Sequence, residues 1–414
     1  MSKRRVVVTG VGAVSCAGNS LSAMWEKLTA GQSGIGRITL FDPSGLPDMA
    51  GEVRNLVLQN VSPKEERRMS RWTRFAVAAA DEAISLAGLS RLGDQGIDPF
   101  RFGALIASGA GGVEEYEHYL GVLERRGPGG VSAFFMPKFM QNSASGNLAV
   151  RYGLRGPNFS PASACASGSH AIGEAMWIIR RGDADLMLAG GTDASLTRLM
   201  ASGFHSLTAL SCGKEPARSC RPFDLGRDGF VLSEGAAVLV LEELDHARKR
   251  GAEILAELSG YGCSCDAFHI TAPDPDGAGL IYAMQQALRM AECPADEIGC
   301  ISAHGTGTIA NDRCEAGAIR KTFGPHTEKI KVSAIKSMIG HAIGASGALS
   351  AAAAVQTLRT GVVPPTINYE TPDPECPLDV TPNQAVEIKT DAVMTDSLGF
   401  GGHNAVLIFR RWKG

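Results

Sequence analysis

The 414-residue chain is predicted to be an α/β protein whose architecture runs twice. Three observations carry that expectation. Short β-rich runs alternate with helical patterns through the first part of the chain. After about Ala252 the same alternation starts again. No low-complexity stretch separates the two parts, so they are expected to pack as one rigid body. In order, Arg5 to Gly10 reads as a strand, Phe75 to Ala87 as a helix and Phe102 to Ser108 as a strand. Ser169 to Arg181 reads as a helix, because Ala171, Ala175 and Ile179 recur at helical spacing with Ile172 and Met176 beside them. It closes on Arg180-Arg181-Gly182, a cationic last turn followed by a glycine stop. Asp185 to Gly190 and Ala236 to Glu242 read as strands. The second series has strands near Ile254 to Tyr261, Ile298 to Ser302 and Ile330 to Ile335, with helices near Gly279 to Ala291 and Gly347 to Arg359. Residues 1–252 and 253–414 are taken as the two units, although similarity between them is not visible in the residues themselves.

Composition narrows the function. Hydrophobic residues make up 44% and charged residues 20% of the chain, which describes a globular protein and not a disordered one. The formal net charge of −3 argues against general nucleic-acid binding. Glycine supplies 50 of the 414 residues, well above the average of roughly 7%. The excess gathers in a few loops, including Gly109-Ala110-Gly111-Gly112, and so marks tight turns around a site rather than linkers. The ten cysteines are scattered without the spacing of a disulfide framework. Cys263 and Cys265 form a C-x-C pair with no second pair or His at ligand spacing, so they read as strand residues and no metal site is expected. The basic start, Met1-Ser2-Lys3-Arg4-Arg5, precedes an apolar run soon interrupted by Gly10, Gly12 and Gly18, which reads as a first strand and not a signal peptide. No apolar run is long enough to span a membrane. A cytoplasmic, reducing location is expected, in which cysteines stay thiols.

The candidate chemistry begins at Cys165. It lies in Ser160-Pro161-Ala162-Ser163-Ala164-Cys165-Ala166-Ser167-Gly168, a turn-rich stretch that opens into the helix starting near Ser169. A thiol just before a helix N-terminus feels the positive end of the helix dipole, so its pKa is expected to fall. A lone cysteine is more often a buried structural residue. Two downstream loops change that balance: Ser302-Ala303-His304-Gly305-Thr306-Gly307-Thr308 and Lys336-Ser337-Met338-Ile339-Gly340-His341-Ala342-Ile343-Gly344. Each follows a short strand and is flanked by glycine, which lets backbone approach a ligand closely.

The segments S-A-C-A-S-G, A-H-G-T-G-T and K-S-M-I-G-H, with the closing Ser397-Leu398-Gly399-Phe400-Gly401-Gly402-His403-Asn404, resemble the β-ketoacyl-acyl-carrier-protein synthases. These are condensing enzymes of the thiolase superfamily, and the resemblance is strongest to the elongating type called synthase II. Arg221-Pro222-Phe223-Asp224, Arg227-Asp228-Gly229-Phe230 and Pro364-Pro365-Thr366-Ile367-Asn368 agree with it in order, so the likeness runs over nearly the whole chain. It implies a thiolase-like fold of two similar halves stacked in five α-β-α-β-α layers. The implied reaction joins a Cys-bound acyl chain to a malonyl unit on acyl carrier protein and expels carbon dioxide. Cys165 is the implied nucleophile, and the amides of Cys165 and Phe400 the implied oxyanion donors. Neutral His304 and His341 would donate to the enolate oxygen left by decarboxylation. Lys336 and Glu315 match the buried pair that fixes loop geometry and histidine protonation. No cofactor is implied, since acyl groups arrive on the phosphopantetheine arm of the carrier protein.

The resemblance also implies a two-fold dimer whose interface includes the segment from about Phe134 to Asn147. An acidic carrier protein should meet a basic surface, for which Lys64, Arg67, Arg68, Arg71 and Arg74, at helix-compatible spacing, and Arg125-Arg126 are the candidates. Ala110, Leu398 and Phe400 are assigned to the acyl pocket and its gate. Ala110 and Leu398 stand where fatty-acid synthases II usually carry bulkier residues, which would open the pocket to longer or stiffer chains. Asn311-Asp312-Arg313-Cys314-Glu315 resembles type II polyketide ketosynthase α-subunits more than the fatty-acid pattern. The alternative is therefore such an α-subunit, heterodimeric with a Cys-less chain-length factor rather than homodimeric. The chain-length factor itself is disfavoured by the presence of Cys165 and both histidines. A thiolase is disfavoured because Gly399-Phe400-Gly401-Gly402 stands where a second catalytic cysteine would be.

Overall fold

The computed structural model describes residues 4–89 and 96–414; Met1, Ser2 and Lys3 of the basic start lie outside the described residues. Among the described residues ten strands form one continuous sheet, five from each half of the chain. The first five are β1 (Val6–Ser15), β2 (Phe102–Ala107), β3 (Asn158–Phe159), β4 (Leu186–Asp193) and β5 (Gly235–Glu243). The second five are β6 (Ala256–Cys265), β7 (Ile298–Ser302), β8 (Lys331–Ser333), β9 (Ala392–Gly399) and β10 (His403–Arg410). Their order is β8-β7-β9-β10-β6-β1-β5-β4-β2-β3.

The duplication that the residues conceal is plain in this order. In the first half β2 runs parallel to β3 and β4, while β5 is antiparallel to both β4 and β1. In the second half β7 runs parallel to β8 and β9, while β10 is antiparallel to both β9 and β6. A short antiparallel pairing of Val6, Val7 and Val8 with Leu258, Glu257 and Ala256 joins the halves. Ala252 falls between the helix Leu244–Lys249 and β6.

Seven longer helices complete the layers: α1 (Arg71–Leu86), α2 (Val113–Arg126), α3 (Ser143–Tyr152), α4 (Ser167–Arg181), α5 (Ala278–Ala291), α6 (Ile309–Phe323) and α7 (Ser346–Thr360). α1 packs on β1 and β5, and α5 packs on β6 and β10, each closing the outer face of its sheet. α4 and α7 lie between the two five-stranded halves of the sheet, within the largest core cluster. Helices outside, sheets, and helices between give the expected five layers. α7 is buried from Ser346 to Leu358 without interruption. A helix covered on all sides shows no polar stripe, and its run of alanines lets both sheets approach closely. β1 and β5 are buried along their whole length, as strands covered on both faces must be. Gly10 and Gly12, which break the apolar run in the sequence, lie inside β1. A Cβ at either would sit 2.0 Å from the carbonyl oxygen of Ala83 or Ala79 of α1, so glycine is needed where the helix rests on the strand.

Candidate active site

Cys165 occupies a 3₁₀ turn, Ala164–Ala166, that leads straight into α4. Ala164 holds φ at +50°, a conformation costly for a residue with a Cβ. The second half repeats the device: the turn Ile343–Ala345 leads into α7, with Ile343 at φ +45°. The nucleophile turn and the end of the second histidine loop thus occupy matching places in the duplicated fold. The His341 Nε2 lies 3.1 Å from Cys165 Sγ, and its Nδ1 lies 2.8 Å from the hydroxyl of Ser346, the first residue of α7. The His304 ring stands perpendicular to that of His341, with centroids 5.5 Å apart.

His304 is fixed from several sides. Lys336 donates to the His304 carbonyl and lies 3.4 Å from Nδ1. A protonated lysine can only donate, so Nδ1 is the acceptor and the His304 proton resides on Nε2. The His304 amide donates to Glu315 Oε1 and to Asp396 Oδ1, both at 2.7 Å, and the Gly305 amide donates to Glu315 Oε2 at 2.8 Å. Lys336 and Glu315 therefore act on opposite sides of the His304 backbone, not as the direct ion pair expected.

Burial sets the protonation of this group. It holds both His304 and His341 well below the usual imidazole range, with the Lys336 charge pushing the same way. Both rings are neutral donors at neutral pH, as the chemistry requires. Burial also pushes the Cys165 thiol up to about 11, against the opposing Lys336 charge and the amides of Phe400 and Cys165. The expected fall in its pKa is overturned: at this depth loss of hydration outweighs the helix end. The thiol needs an adjacent base, and His341 is that base by position. The 399–402 loop presses against the nucleophile turn. A Cβ on Gly399 would lie 2.5 Å from the Ser163 carbonyl oxygen and 3.3 Å from the Cys165 amide. This contact brings the Phe400 and Cys165 amides to the sulfur.

Comparison with known proteins agrees with this geometry. Residues 3–247 match the family described as "Beta-ketoacyl synthase, N-terminal domain", and residues 255–370 its "C-terminal domain" counterpart. The chain belongs to the β-ketoacyl synthase family. Among relatives, a 3-oxoacyl-[acyl-carrier-protein] synthase 2 of Staphylococcus aureus strain N315 is 44% identical over 412 residues, 99% of both chains. The enzyme of the same name from Coxiella burnetii is 46% identical over 417 residues, again 99% of each. A type II polyketide ketosynthase, solved with its acyl-carrier protein and bound to a hexaketide, superposes with a TM-score of 0.93 at 34% identity, covering 99% of this chain and 100% of that one. A β-ketoacyl synthase from Burkholderia phymatum STM815 gives 0.91 at 35% identity with the same coverage.

A cavity of about 380 Å³ opens onto Cys165, His304 and His341 of this β-ketoacyl synthase. Leu398 and Phe400 line it. An aromatic series, Phe400 to Phe204 to Phe230 to His341, runs along it with successive centroids 6.3, 5.3 and 5.0 Å apart. Ala110 is not among the residues that line this cavity. Its loop is drawn onto the buried Asp193 carboxylate, which accepts from Ser108 Oγ and the amides of Gly109 and Ala110 as well as from the Gly344 amide.

The basic positions separate. They do not share one helix, because Pro63–Glu66 ends before α1 begins at Arg71. Lys64, Arg67, Arg68, Arg125 and Arg126 are exposed. Arg68 lies 5.0 Å over the Phe134 ring, and Arg74 pairs with Glu66 at 3.3 Å. Arg71 is committed inward: it forms a two-pronged contact with the fully buried Glu234 and donates to the Val53 carbonyl. It is therefore not a free docking residue. Arg71→Ala should destabilise the fold by about 3–5 kcal/mol, the cost of stranding a buried carboxylate, and a melting curve will read it. In the expected interface segment, Phe134, Met136 and Met140 are exposed.

Reading the sequence missed Asp193, Asp396 and Ser346. The first two had a signal: each is an acid near the C-terminal end of a strand that opens on an apolar run, Leu186–Asp193 or Ala392–Gly399. All ten cysteines are free. Among the described residues no cluster of three or more His, Cys, Asp or Glu is arranged to hold a metal, and no helix is long and apolar enough to cross a membrane.

Proposed function

We propose that this chain elongates acyl chains on acyl carrier protein by decarboxylative Claisen condensation, with its own side chains and backbone amides carrying the steps. The observation that carries the reading is Cys165 Sγ at 3.1 Å from His341 Nε2 with neutral His304 set at right angles beside it. In the first half-reaction the thiol proton passes to His341 and the thiolate attacks the acyl thioester carbonyl. The Cys165 and Phe400 amides receive the oxyanion, and the carrier thiolate leaves with the proton. Ser346 can accept from or donate to His341 Nδ1, so the ring can present Nε2 as a base here and as a donor later. In the second half-reaction the malonyl carboxyl bond breaks and carbon dioxide leaves. The electron pair becomes an enolate whose oxygen accepts from His304 and His341. Its carbon attacks the acyl-Cys165 carbonyl, a 3-oxoacyl thioester forms, and the expelled Cys165 thiolate is reprotonated from solvent.

The reading invokes no cofactor and places the enzyme in the reducing cytoplasm. Residues 1–252 supply the nucleophile and 253–414 the histidine loops. Lys64, Arg67, Arg68, Arg125 and Arg126 are the basic groups offered to the carrier protein. The exposed Phe134, Met136 and Met140 support a subunit contact across the 134–147 segment. The purified protein, given acyl- and malonyl-carrier protein alone, should release carbon dioxide and a 3-oxoacyl-carrier protein. Absence of both products would refute the reading.

A second reading makes the chain the ketosynthase α-subunit of a type II polyketide synthase. It is favoured by the N-D-R-C-E segment and by the solved ketosynthases with a chain-length factor that share its fold. Condensation that begins only when a Cys-less homologous subunit is added would select it.

The gate supplies a finer test. Leu398→Phe adds bulk to a nearly closed wall of the cavity. Overpacking of this kind costs about 1–3 kcal/mol, or about tenfold in rate, and should fall on long or rigid acyl groups while short primers react as before. Equal loss at all chain lengths in a primer series would show general damage instead.

A further inference from the structure

The mechanism leaves two buried carboxyl groups unexplained. Glu315 on α6 and Asp396 on β9 are both fully enclosed. They converge on a single donor, the His304 amide, at 2.7 Å each. Two oxygens each 2.7 Å from one nitrogen cannot be far apart, so the two carboxyl groups are close neighbours. Two ionised carboxylates at this range repel, and since an ionised carboxylate only accepts, neither can satisfy the other. The supporting donors are unevenly spread. Glu315 Oε2 accepts from the Gly305 amide at 2.8 Å and from Asn311 Nδ2 at 3.1 Å. Asp396 Oδ2 is buried and has no hydrogen-bond partner among the described residues. One proton on the pair removes the repulsion and gives this corner a donor that it otherwise lacks.

The surrounding charges fit this count. Lys336 faces the pair across the His304 backbone, and His304 and His341 are neutral. Asp312, one turn before Glu315 on α6, accepts from the amides of Phe223 and Gly307 and lies 3.5 Å from Arg227, whose closer partner is Asp373 at 2.6 Å, so no spare positive charge reaches the pair from this side. Cys314 of the same helix is a thiol pushed up to about 12 by burial, so it adds no charge. One proton on the pair leaves one negative charge opposite the Lys336 ammonium. Two carboxylates would leave one uncompensated charge in a closed interior, which is strongly unfavourable.

We infer that Glu315 and Asp396 share one proton across the working pH range, and that the pair is a positioning unit that holds His304 for decarboxylation and sets the alkaline limit of that step. The kinetic half of this inference rests on the reading given above; the shared proton does not. As pH rises and the proton leaves, the carboxylates repel and the His304 loop loses its seat. Decarboxylation should fail first, while acylation, which uses Cys165 and His341, persists to higher pH.

Infrared difference spectroscopy reads the proton directly. At pH 8 the wild-type protein should show the carbonyl stretch of a protonated buried carboxyl group, shifted in heavy water. That band should vanish in Asp396→Asn and in Glu315→Gln, because either amide supplies the N–H that the shared proton supplied. In Asp396→Asn, the alkaline limb of malonyl decarboxylation, normalised to its own maximum, should move up by at least about one pH unit, the shift a close like charge produces. The acylation profile should not move. A wild-type spectrum without the band, or a band that survives in both variants, overturns the shared proton even if condensation proceeds as proposed. Superimposable alkaline limbs in wild type and Asp396→Asn overturn the positioning role.

Discussion

Cys165→Ala is expected to fold like the parent, form no acyl-enzyme and lose condensation by about 10³-fold or more, as removal of a nucleophile does elsewhere. The structural cost is small, since the substitution removes one buried sulfur from a site whose backbone is held by its neighbours. The Ser163 amide still accepts no new strain, because it donates to Ser167 Oγ at 2.9 Å, and the Ala166 amide still donates to the Ser163 carbonyl at 3.1 Å. The functional cost is large because no other thiol lines the cavity to take over as nucleophile. Cys220, Cys300 and Cys376 are buried with their thiols pushed up to about 12. Intact-mass measurement after incubation with acyl-carrier protein gives the answer: an acyl adduct on another residue of the variant would remove Cys165 from its role. Decarboxylation of malonyl-carrier protein uses no atom of Cys165, so some release of carbon dioxide should survive.

The order of strands and helices was largely legible, because runs such as Ala236 to Glu242 and the helix from Ser169 to Arg181 carry unambiguous apolar patterns. The twofold repeat of topology was not, because it lies in which strands pair and in which sense, a relation between distant residues. The three chemical groups, Cys165, His304 and His341, stood out as reactive types in glycine-rich loops. Their supports did not. Ser346 opens a helix of small residues and signals nothing locally, yet it faces His341. The helix-end argument for Cys165 failed for a related reason: depth of burial is a tertiary property, and here it dominates the thiol. Arg71 shows the same limit from the other side. Its spacing with Arg67, Arg68 and Arg74 suggested a basic face, but its partner Glu234 lies 163 positions away, where no local pattern reaches.

The two histidines should separate kinetically. His304→Ala removes a neutral donor aimed at the enolate oxygen, and loss of one such donor costs about 10²–10³ in rate. It touches neither the sulfur nor the Cys165 and Phe400 amides, so acylation of Cys165 should stay near the wild-type rate. His341→Ala removes an equivalent donor and also the group 3.1 Å from Cys165 Sγ. With the thiol pushed up to about 11 by burial, acylation should slow in this variant as well. Rapid-quench measurement of acyl-enzyme formation, beside release of carbon dioxide from malonyl-carrier protein, resolves the two steps. The protonation states add a sign. Burial and the Lys336 charge hold both rings well below the usual imidazole range, so they stay neutral as pH falls through about 6.5, the ordinary histidine value. Wild-type decarboxylation should therefore remain level across that pH and decline only further into acid, where the rings take up protons. A half-maximal loss at about 6.5 would mean that the catalytic imidazoles titrate like exposed ones, and full decarboxylation by both alanine variants would take the histidines out of the mechanism altogether.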